Sequence, residues 1–312
     1  MQKRINMHIY VHKEYQREEL IFMSTKRAEL LMLFVTFCWG SSYLFMKEGL
    51  ETFAPFTIVA YRFGIAFLVA ALLLGRGWCR ITARMVWSGF LVGLIVFASF
   101  ASLVIGLQYT TTSNAGFITS LMVVFIPFVE RFGYHQPLRR PVLMTALLSA
   151  VGIGFLTLHN GLRLNPGDLL CLFGAFLNAV QVSYSERLLA KMDTVTLGML
   201  QFGFTGLLGL ITAFVIETPA LPGSEGSWFA MLYLGLICSA FGFMAQLVAQ
   251  KYTSAERIGI LFCLEPVFAT MIGVVYLHET FGPLSLIGAV LVLTGVILSG
   301  RQSRESALES EY

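Results

Sequence analysis

Charged residues are scarce in this sequence. Asp, Glu, Lys and Arg make up 12% of the 312 residues, against about 25% in ordinary soluble domains. Hydrophobic residues make up 56%, more than a water-soluble core of this size can bury. The net charge is only +3, so we expect no nucleic-acid partner.

Motifs for metals, nucleotides and hydrolytic chemistry are also missing. The five cysteines contain no CxxC pair and no His/Cys ligand spacing, which excludes the common zinc and dithiol sites. No phosphate-binding loop, GxSxG pattern or HExxH pattern occurs. We therefore expect no metal, no cofactor and no enzymatic activity.

Long apolar runs fill the chain instead. A transmembrane helix needs about 20 mostly apolar residues, and these runs lack the alternation of membrane strands. The fold class predicted is therefore an all-α membrane protein of ten transmembrane helices. The predicted spans are 29–46, 56–75, 85–107, 114–132, 141–158, 168–188, 194–216, 227–249, 256–277 and 282–299.

The distribution of positive charge predicts the orientation. With the N-terminus in the cytoplasm, all but three of the 21 Lys and Arg residues lie on the cytoplasmic side. Lys47 and Arg163 lie outside, and Arg62 lies in the membrane. Under the positive-inside rule, both termini are expected to be cytoplasmic.

The polar stretch before the first span has no cleavage site, so we expect the first helix to act as the targeting signal. Residues 23–27 (MSTKR) look like a usual start. Met23 is therefore the expected initiator.

The second half of the chain repeats the first. The pairs at an offset of about 140 residues include Phe100 with Phe243, Tyr109 with Tyr252, Gly116 with Gly259, Phe125 with Phe268 and Phe63 with Phe202. Each copy holds five predicted spans, so the second copy enters the membrane from the opposite side. The predicted units are a polar segment 1–28, a first repeat 29–158, a second repeat 168–299 and a cytoplasmic tail 300–312. Inverted repeats of this kind recur in secondary transporters.

Several short motifs resemble those of the EamA-type transporters of the drug/metabolite transporter superfamily. They are Trp39 to Ser42, Lys47, Pro55, Arg62, Leu107 to Thr111, Asn114 to Gly116, Tyr252 to Ala255, Leu264 to Val267, His278 to Thr280, and Gly288 with Ala289. The resemblance covers residues 28–300. It implies alternating-access transport of small organic solutes, commonly export of amino acids or other metabolites, across the bacterial inner membrane.

Glu265 is the acid predicted deepest in a span. It lies about nine residues into the ninth helix, roughly 14 Å from its cytoplasmic end. An ionised carboxylate there is costly, so it must face a wet cavity, pair with a cation or hold its proton. One interpretation is substrate binding or proton coupling, and the other is a neutral acid that hydrogen-bonds a neighbouring helix. The repeat equivalent of Glu265 is Met122, so the halves are chemically unequal.

Arg62 is the basic residue predicted inside a span, roughly 9 Å below the outer surface. It either binds an anionic group or pairs with Glu265, or it snorkels to the outer interface or forms a fixed ion pair. Its repeat equivalent is the uncharged Gln201, so any role of this charge belongs to one half.

Polar side chains at helical spacing form inward-facing stripes on three helices. The candidates for substrate binding are Trp39 and Tyr43 on the first helix, Asn178 and Gln181 on the sixth, and Gln246 on the eighth. For Asn178 and Gln246, hydrogen bonding between helices is an equal alternative, and for Trp39 core packing is preferred to ligand stacking.

Asn114 begins the fourth predicted span after a run of threonine and serine. This pattern is typical of a helix N-cap. The alternative is that this helix end meets a substrate carboxylate.

The sequence therefore predicts a secondary transporter that exports amino acids or related metabolites, with proton coupling through Glu265 as one of the two alternatives for that residue. A multidrug or toxic-compound efflux carrier is the nearest alternative. An intramembrane enzyme lacks paired catalytic groups, and a channel lacks a repeated filter or ring of charge. The expected partners are a small-molecule substrate, protons and the lipid bilayer, and the expected state is a monomer or homodimer.

Overall fold

The computed structural model describes residues 23–74, 81–110, 112–157, 166–276 and 283–309. Within these ranges the chain is helical and contains no strand. The helices are α1 (Thr25–Gly49), α2 (Pro55–Leu74), α3 (Ala83–Tyr109), α4 (Thr112–Ser120), α5 (Met122–Tyr134), α6 (Arg140–Thr157), α7 (Pro166–Leu189), α8 (Thr194–Ile216), α9 (Glu225–Leu232), α10 (Gly242–Gln250), α11 (Ala255–Phe262), α12 (Glu265–Tyr276) and α13 (Pro283–Glu309). A π-helical segment, Tyr233–Phe241, joins α9 to α10.

Seven helical stretches are long and apolar enough to cross a membrane: Thr25–Gly49, Pro55–Leu73, Ala83–Tyr109, Ala115–Tyr134, Pro166–Leu189, Thr194–Ile216 and Glu225–Gln250. Two further apolar helices are shorter than these seven, Arg140–Phe155 and Leu286–Leu298. The structure therefore shows a helical membrane protein, while the count of ten spans stays a prediction. Met23, the predicted start, is the first residue described after the range 1–22, which lies outside the described residues. The motif at His278 falls in the range 277–282, which also lies outside them.

Packing between helices follows the sequence repeat. Helix α2 packs against its repeat equivalent α8, and α6 packs against its equivalent α13. Helix α1 packs against α10, α11 and α12 of the second half, and its equivalent α7 packs against α3, α4 and α5 of the first half. The two halves therefore interlock, and the centre of the bundle is built from both.

Two helices are interrupted at equivalent positions of the repeat. The break between α4 and α5 is at Leu121, and the break between α11 and α12 is at residues 263–264. At the second break, Pro266 has no N–H for the carbonyl four residues earlier. Before the first, the hydroxyls of Thr119 and Ser120 donate to carbonyls one turn back at 2.7 and 2.8 Å, a pattern that bends helices.

Glycines set the closest helix approaches. A Cβ added to Gly152 on α6 would lie 2.8 Å from the Gly288 carbonyl oxygen, the Leu291 Cβ and the Val292 amide of α13. A Cβ at Gly40 on α1 would lie 2.9 Å from the main-chain oxygen of Glu265. Small residues at such crossings allow backbones to approach closely in a membrane.

The predicted cytoplasmic end of the bundle is tied by charged side chains. Arg257 on α11 pairs with Glu29 on α1 at 2.7 Å. Arg187 on α7 forms an ion pair with Glu130 on α5. The Glu186 carboxylate accepts a hydrogen bond from the Ala255 amide at the start of α11, at 3.2 Å. These contacts join α1, α5, α7 and α11 across the two halves.

The predicted outer end is tied mainly by bonds to the main chain. The Lys47 ammonium group donates to the Leu107 carbonyl at 2.8 Å, where it meets the C-terminal end of α3. The Glu217 carboxylate accepts from the amides of Phe56 and Thr57 at 2.9 Å each, which caps α2.

Candidate functional site

The centre of the bundle contains a carboxyl group and a guanidinium group contributed by different halves. Glu265 is the first residue of α12, directly after the break in the chain. It is partly buried, and Arg62 of α2 is 2% exposed. The two charges interact electrostatically, yet no Arg62 nitrogen lies within 4.0 Å of a Glu265 oxygen in the described part of the chain.

Tyr43 connects Glu265 to the first half. Its side chain is 3% exposed, and its hydroxyl lies near the side chains of Glu265 and Thr119. Because Gly40, one turn earlier on α1, has no side chain, α12 can approach close enough for this contact. Three helices from both halves, α1, α4 and α12, therefore meet around the Tyr43 side chain.

Arg62 is turned into the protein, so the interpretation that it snorkels to the outer interface is wrong. Its Nε donates to the Ser239 hydroxyl at 2.6 Å, and its guanidinium carbon lies 4.6 Å from the centre of the Phe100 ring. Its Nη1 lies 3.4 Å from the Met46 sulfur. These contacts hold the cation inside the bundle.

Trp39 packs against two aromatic rings. It is 7% exposed and contacts the rings of Phe243 and Phe262, with centroid distances of 5.2 and 5.1 Å. Its Nε1 donates to the Cys238 carbonyl at 2.6 Å. This environment fits the core-packing interpretation, and contact with a substrate stays a prediction.

Asn178 faces the first-half counterpart of Glu265. Its amide nitrogen lies 3.3 Å from the Met122 sulfur, and Met122 is 2% exposed. The position that carries a carboxyl group in one half therefore carries a soft apolar side chain in the other.

Gln181 and Gln246 lie together in a ladder of amides between α7 and α10. Gln246 donates to Gln181 and to Gln250 at 3.4 Å each, Gln181 donates to Ser185 at 3.1 Å, and Gln250 donates to the Val182 carbonyl at 2.9 Å. All these side chains are buried. The ladder corresponds to hydrogen bonding between helices.

Asn114 is not at a helix cap. Helix α4 begins at Thr112, so Asn114 lies in the first turn, and its side chain falls outside the described part of the structure. The cap prediction failed because the helix starts earlier than the apolar run.

Sequence reasoning missed the π-helical segment. Its main chain supplies the Cys238 carbonyl to Trp39 and its side chains supply the Ser239 hydroxyl to Arg62. Segments of this kind are rare and often lie at functional sites. The apolar stretch YLGLICSAF carries no signal that distinguishes it from an α-helix.

Four phenylalanines, which we call the Phe tetrad, lie beside Arg62. They are Phe63 and Phe100 of the first half and their repeat equivalents Phe202 and Phe243. Neighbouring rings have centroid distances between 5.0 and 6.2 Å. The repeat alignment in the sequence already pairs these residues, but it does not show that they touch.

A separate groove of about 780 Å³ lies between α2 and α8. Its lining is almost wholly apolar and includes Gly64, Phe67, Leu207 and Phe214. None of Trp39, Tyr43, Arg62 or Glu265 lines it, so the groove is distinct from the polar centre.

Comparison with known proteins identifies relatives that match most of the chain. The EamA-like transporter family model matches residues 26–158 and 165–301. An uncharacterized transporter of Archaeoglobus fulgidus is 30% identical over 279 residues, covering 87% of this chain and 85% of the relative. The uncharacterized transporter YcxC of Bacillus subtilis is 26% identical over 288 residues, covering 86% and 91%.

A solved crystal structure shows the same fold. It superposes with a TM-score of 0.73 and covers 90% of this chain and 98% of its own, at 21% sequence identity. The helical architecture described above is therefore shared with an experimentally determined protein.

Proposed function

Because this chain belongs to the EamA-like transporter family, we propose that it is a secondary active transporter that exports small organic metabolites. Amino acids and related compounds are the proposed cargo, and the bacterial inner membrane is the proposed location. Transport proceeds by alternating access and is coupled to protons through Glu265. The protein needs no cofactor and carries out no chemical step.

The position of Glu265 carries this proposal. The carboxyl group lies where a helix is interrupted, between the two halves, and faces Tyr43 and Arg62 of the other half. Transporters built from repeats bind their substrates and coupling ions at interrupted helices near the bilayer midplane. We propose that Tyr43, Arg62, Asn178 and Glu265 contact the solute.

The remaining candidates hold the surrounding helices in place. Trp39 fixes the π-helical segment through the Cys238 carbonyl, and Gln181 and Gln246 fix α7 against α10. For Asn114, substrate contact rests on its position near the start of α4 alone.

The arrangement of helices supports an inverted repeat of ten spans, with halves 29–158 and 168–299. The family model matches each half separately, and equivalent helices pack on equivalent partners. Exchange of the two halves' conformations then opens the site to one side and afterwards to the other. The ion pairs Arg187–Glu130 and Arg257–Glu29 join the halves at the inner end, so inward opening must break them.

The proposed orientation has both termini in the cytoplasm. We expect a C-terminal green fluorescent protein fusion to fluoresce in cells and a C-terminal alkaline phosphatase fusion to be inactive, since phosphatase folds only in the periplasm. The same fusions placed after residue 218, in the predicted outer loop, should give the opposite pattern. An active C-terminal phosphatase would contradict the ten-span topology.

Counterflow in liposomes tests the transport function. Purified protein should exchange labelled amino acids against unlabelled ones with saturable kinetics, which separates a carrier from a channel. Movement of cationic dyes without amino acids would favour the multidrug alternative. If no member of a broad metabolite and dye panel moves under pH or solute gradients, the proposed function is wrong.

A further inference from the structure

An acidic residue near the start of the first helix of each half contacts the other half. In α1 this residue is Glu29, and in α7 it is Asp168, at the same offset as the repeat pair Phe63 and Phe202. Because α1 and α7 cross the membrane in opposite directions in the predicted topology, Glu29 lies at the inner end of the bundle and Asp168 lies at the outer end. The two acids therefore occupy equivalent positions on opposite sides.

The outer contact is a hydrogen bond at the corner between α3 and α4. The Thr110 hydroxyl donates to the Asp168 carboxylate at 2.6 Å, and these residues are 6% and 2% exposed. Helices α3 and α7 pack closely here, because a Cβ added to Gly106 would lie 2.7 Å from the Gly167 carbonyl oxygen and 2.8 Å from the Cys171 sulfur. The outer contact is therefore a buried bond beside a tight helix crossing.

The inner contact is an ion pair. The Nε of Arg257, near the start of α11, donates to the Glu29 carboxylate at 2.7 Å. A second ion pair, between Arg187 of α7 and Glu130 of α5, also joins the two halves at this end. Each pair has one partly exposed side chain, 25% for Glu29 and 28% for Arg187. Water and salt therefore reach both inner ion pairs.

The two ends differ in chemistry although the repeat makes them equivalent. Ala249 stands in α10 where Gly106 stands in α3, so the helix pair α1 and α10 carries a methyl group that the outer crossing cannot fit. Salt weakens the attraction between partly exposed charges, whereas it screens buried groups much less. The inner contact is therefore held by charge, and the outer contact is held by packing and a buried hydrogen bond.

We propose that these contacts are two gates of different kinds. The outer gate consists of Asp168 and Thr110 at the α3–α7 crossing, and the inner gate consists of the ion pair of Glu29 with Arg257 and the second pair beside it. This inference rests on the proposed alternating access and names the residues that hold each side closed. Release of one contact shifts the population toward the state that is open on that side, and ionic strength acts on the inner gate alone.

Two cysteine positions report on the two gates. Cys171 lies beside the outer contact, and Met32 of α1 is its repeat equivalent. Both residues are 0% exposed. One form of the full-length protein keeps Cys171 and has alanine in place of the other cysteines, and a second form has alanine at all five natural cysteines and carries Met32→Cys. The rate at which a maleimide labels each purified form in detergent measures how often that position opens.

Thr110→Val removes the outer hydrogen bond without adding bulk. We expect it to raise the labelling rate of Cys171 at least about fivefold, because a bond to a charged acceptor is lost, and to leave the rate of Met32→Cys unchanged. Glu29→Gln should do the reverse, because it removes one charge of the inner ion pair. Glu48→Gln changes an exposed acid on the same helix as Glu29, and this control should change neither rate.

Salt tests the difference between the gates without a substitution in either of them. An ionic strength of about 1 M, where the screening length is about 3 Å, should raise the labelling rate of Met32→Cys at least about twofold and leave that of Cys171 unchanged. This measurement decides for the inner gate if Glu29→Gln does not fold.

Equal effects of Thr110→Val or Glu29→Gln on both cysteine positions would show general loosening of the bundle and overturn the proposal. A labelling rate of Met32→Cys that responds neither to Glu29→Gln nor to salt would overturn it as well. Because labelling is measured without solute or flux, failure of counterflow in liposomes is a separate result about the transport function.

Discussion

Replacement of Glu265 by Gln is expected to abolish accumulation driven by a pH gradient while exchange of solute continues. Glutamine has nearly the same size and can hydrogen-bond to Tyr43, but it cannot take up or release a proton. We expect accumulation to fall by at least about tenfold, because coupling between two linked binding sites typically changes an affinity by about 5- to 150-fold. Counterflow of the same labelled solute should stay within about threefold of the wild-type rate, because glutamine fills the same space and keeps a hydrogen-bonding partner for Tyr43.

The repeat offers a matched control for this variant. Met122 occupies the position equivalent to Glu265 and is likewise next to an interrupted helix. Met122→Gln adds the same amide to the other half, and coupling should survive it. If Glu265→Gln still accumulates solute with the pH gradient, the carboxyl group has a structural role and the coupling group lies elsewhere.

Replacement of Gly152 by Leu is expected to prevent stable folding. The Cβ alone would lie 2.8 Å from two backbone atoms and one side-chain carbon of α13, so α6 and α13 must separate. Overpacking of this kind costs about 1–3 kcal/mol for small additions, and the added isobutyl group exceeds a small addition. Gly152→Ala should lower the melting temperature in detergent, and Gly152→Leu should give no monodisperse peak in size-exclusion chromatography.

Gly64 provides the control for the glycine prediction. It lies inside α2, and a Cβ there meets nothing within 4 Å. Because alanine stabilises a helix interior by up to about 1 kcal/mol relative to glycine, Gly64→Ala should match or exceed the wild-type melting temperature. Equal losses from Gly64→Ala and Gly152→Ala would show that the α6–α13 crossing is not tightly packed.

Hydropathy along the sequence identifies some membrane spans clearly and others only weakly. Long runs such as those of α3 and α8 are apolar from end to end, and hydropathy identifies them directly. The stretch 256–277 contains a break at residues 263–264, and the helix around residues 286–298 is short. Hydropathy alone therefore predicts these spans but does not show where the helix is interrupted.

For this protein, the sequence by itself determined the helical membrane class, the family and the residues whose charges are rare in a membrane. Apolar length, charge distribution and repeated motifs are local properties of the chain, so they can be read without a structure. Glu265 and Arg62 were identified in this way.

Only the tertiary structure decided what those residues touch. Arg62 meets Ser239, and Trp39 meets the Cys238 carbonyl, across separations of 177 and 199 residues. Such contacts depend on the rotation of each helix, on the glycine crossings and on the π-helical segment that turns Ser239 inward. Many rotations satisfy the same apolar pattern in lipid, and packing between the two halves selects one of them.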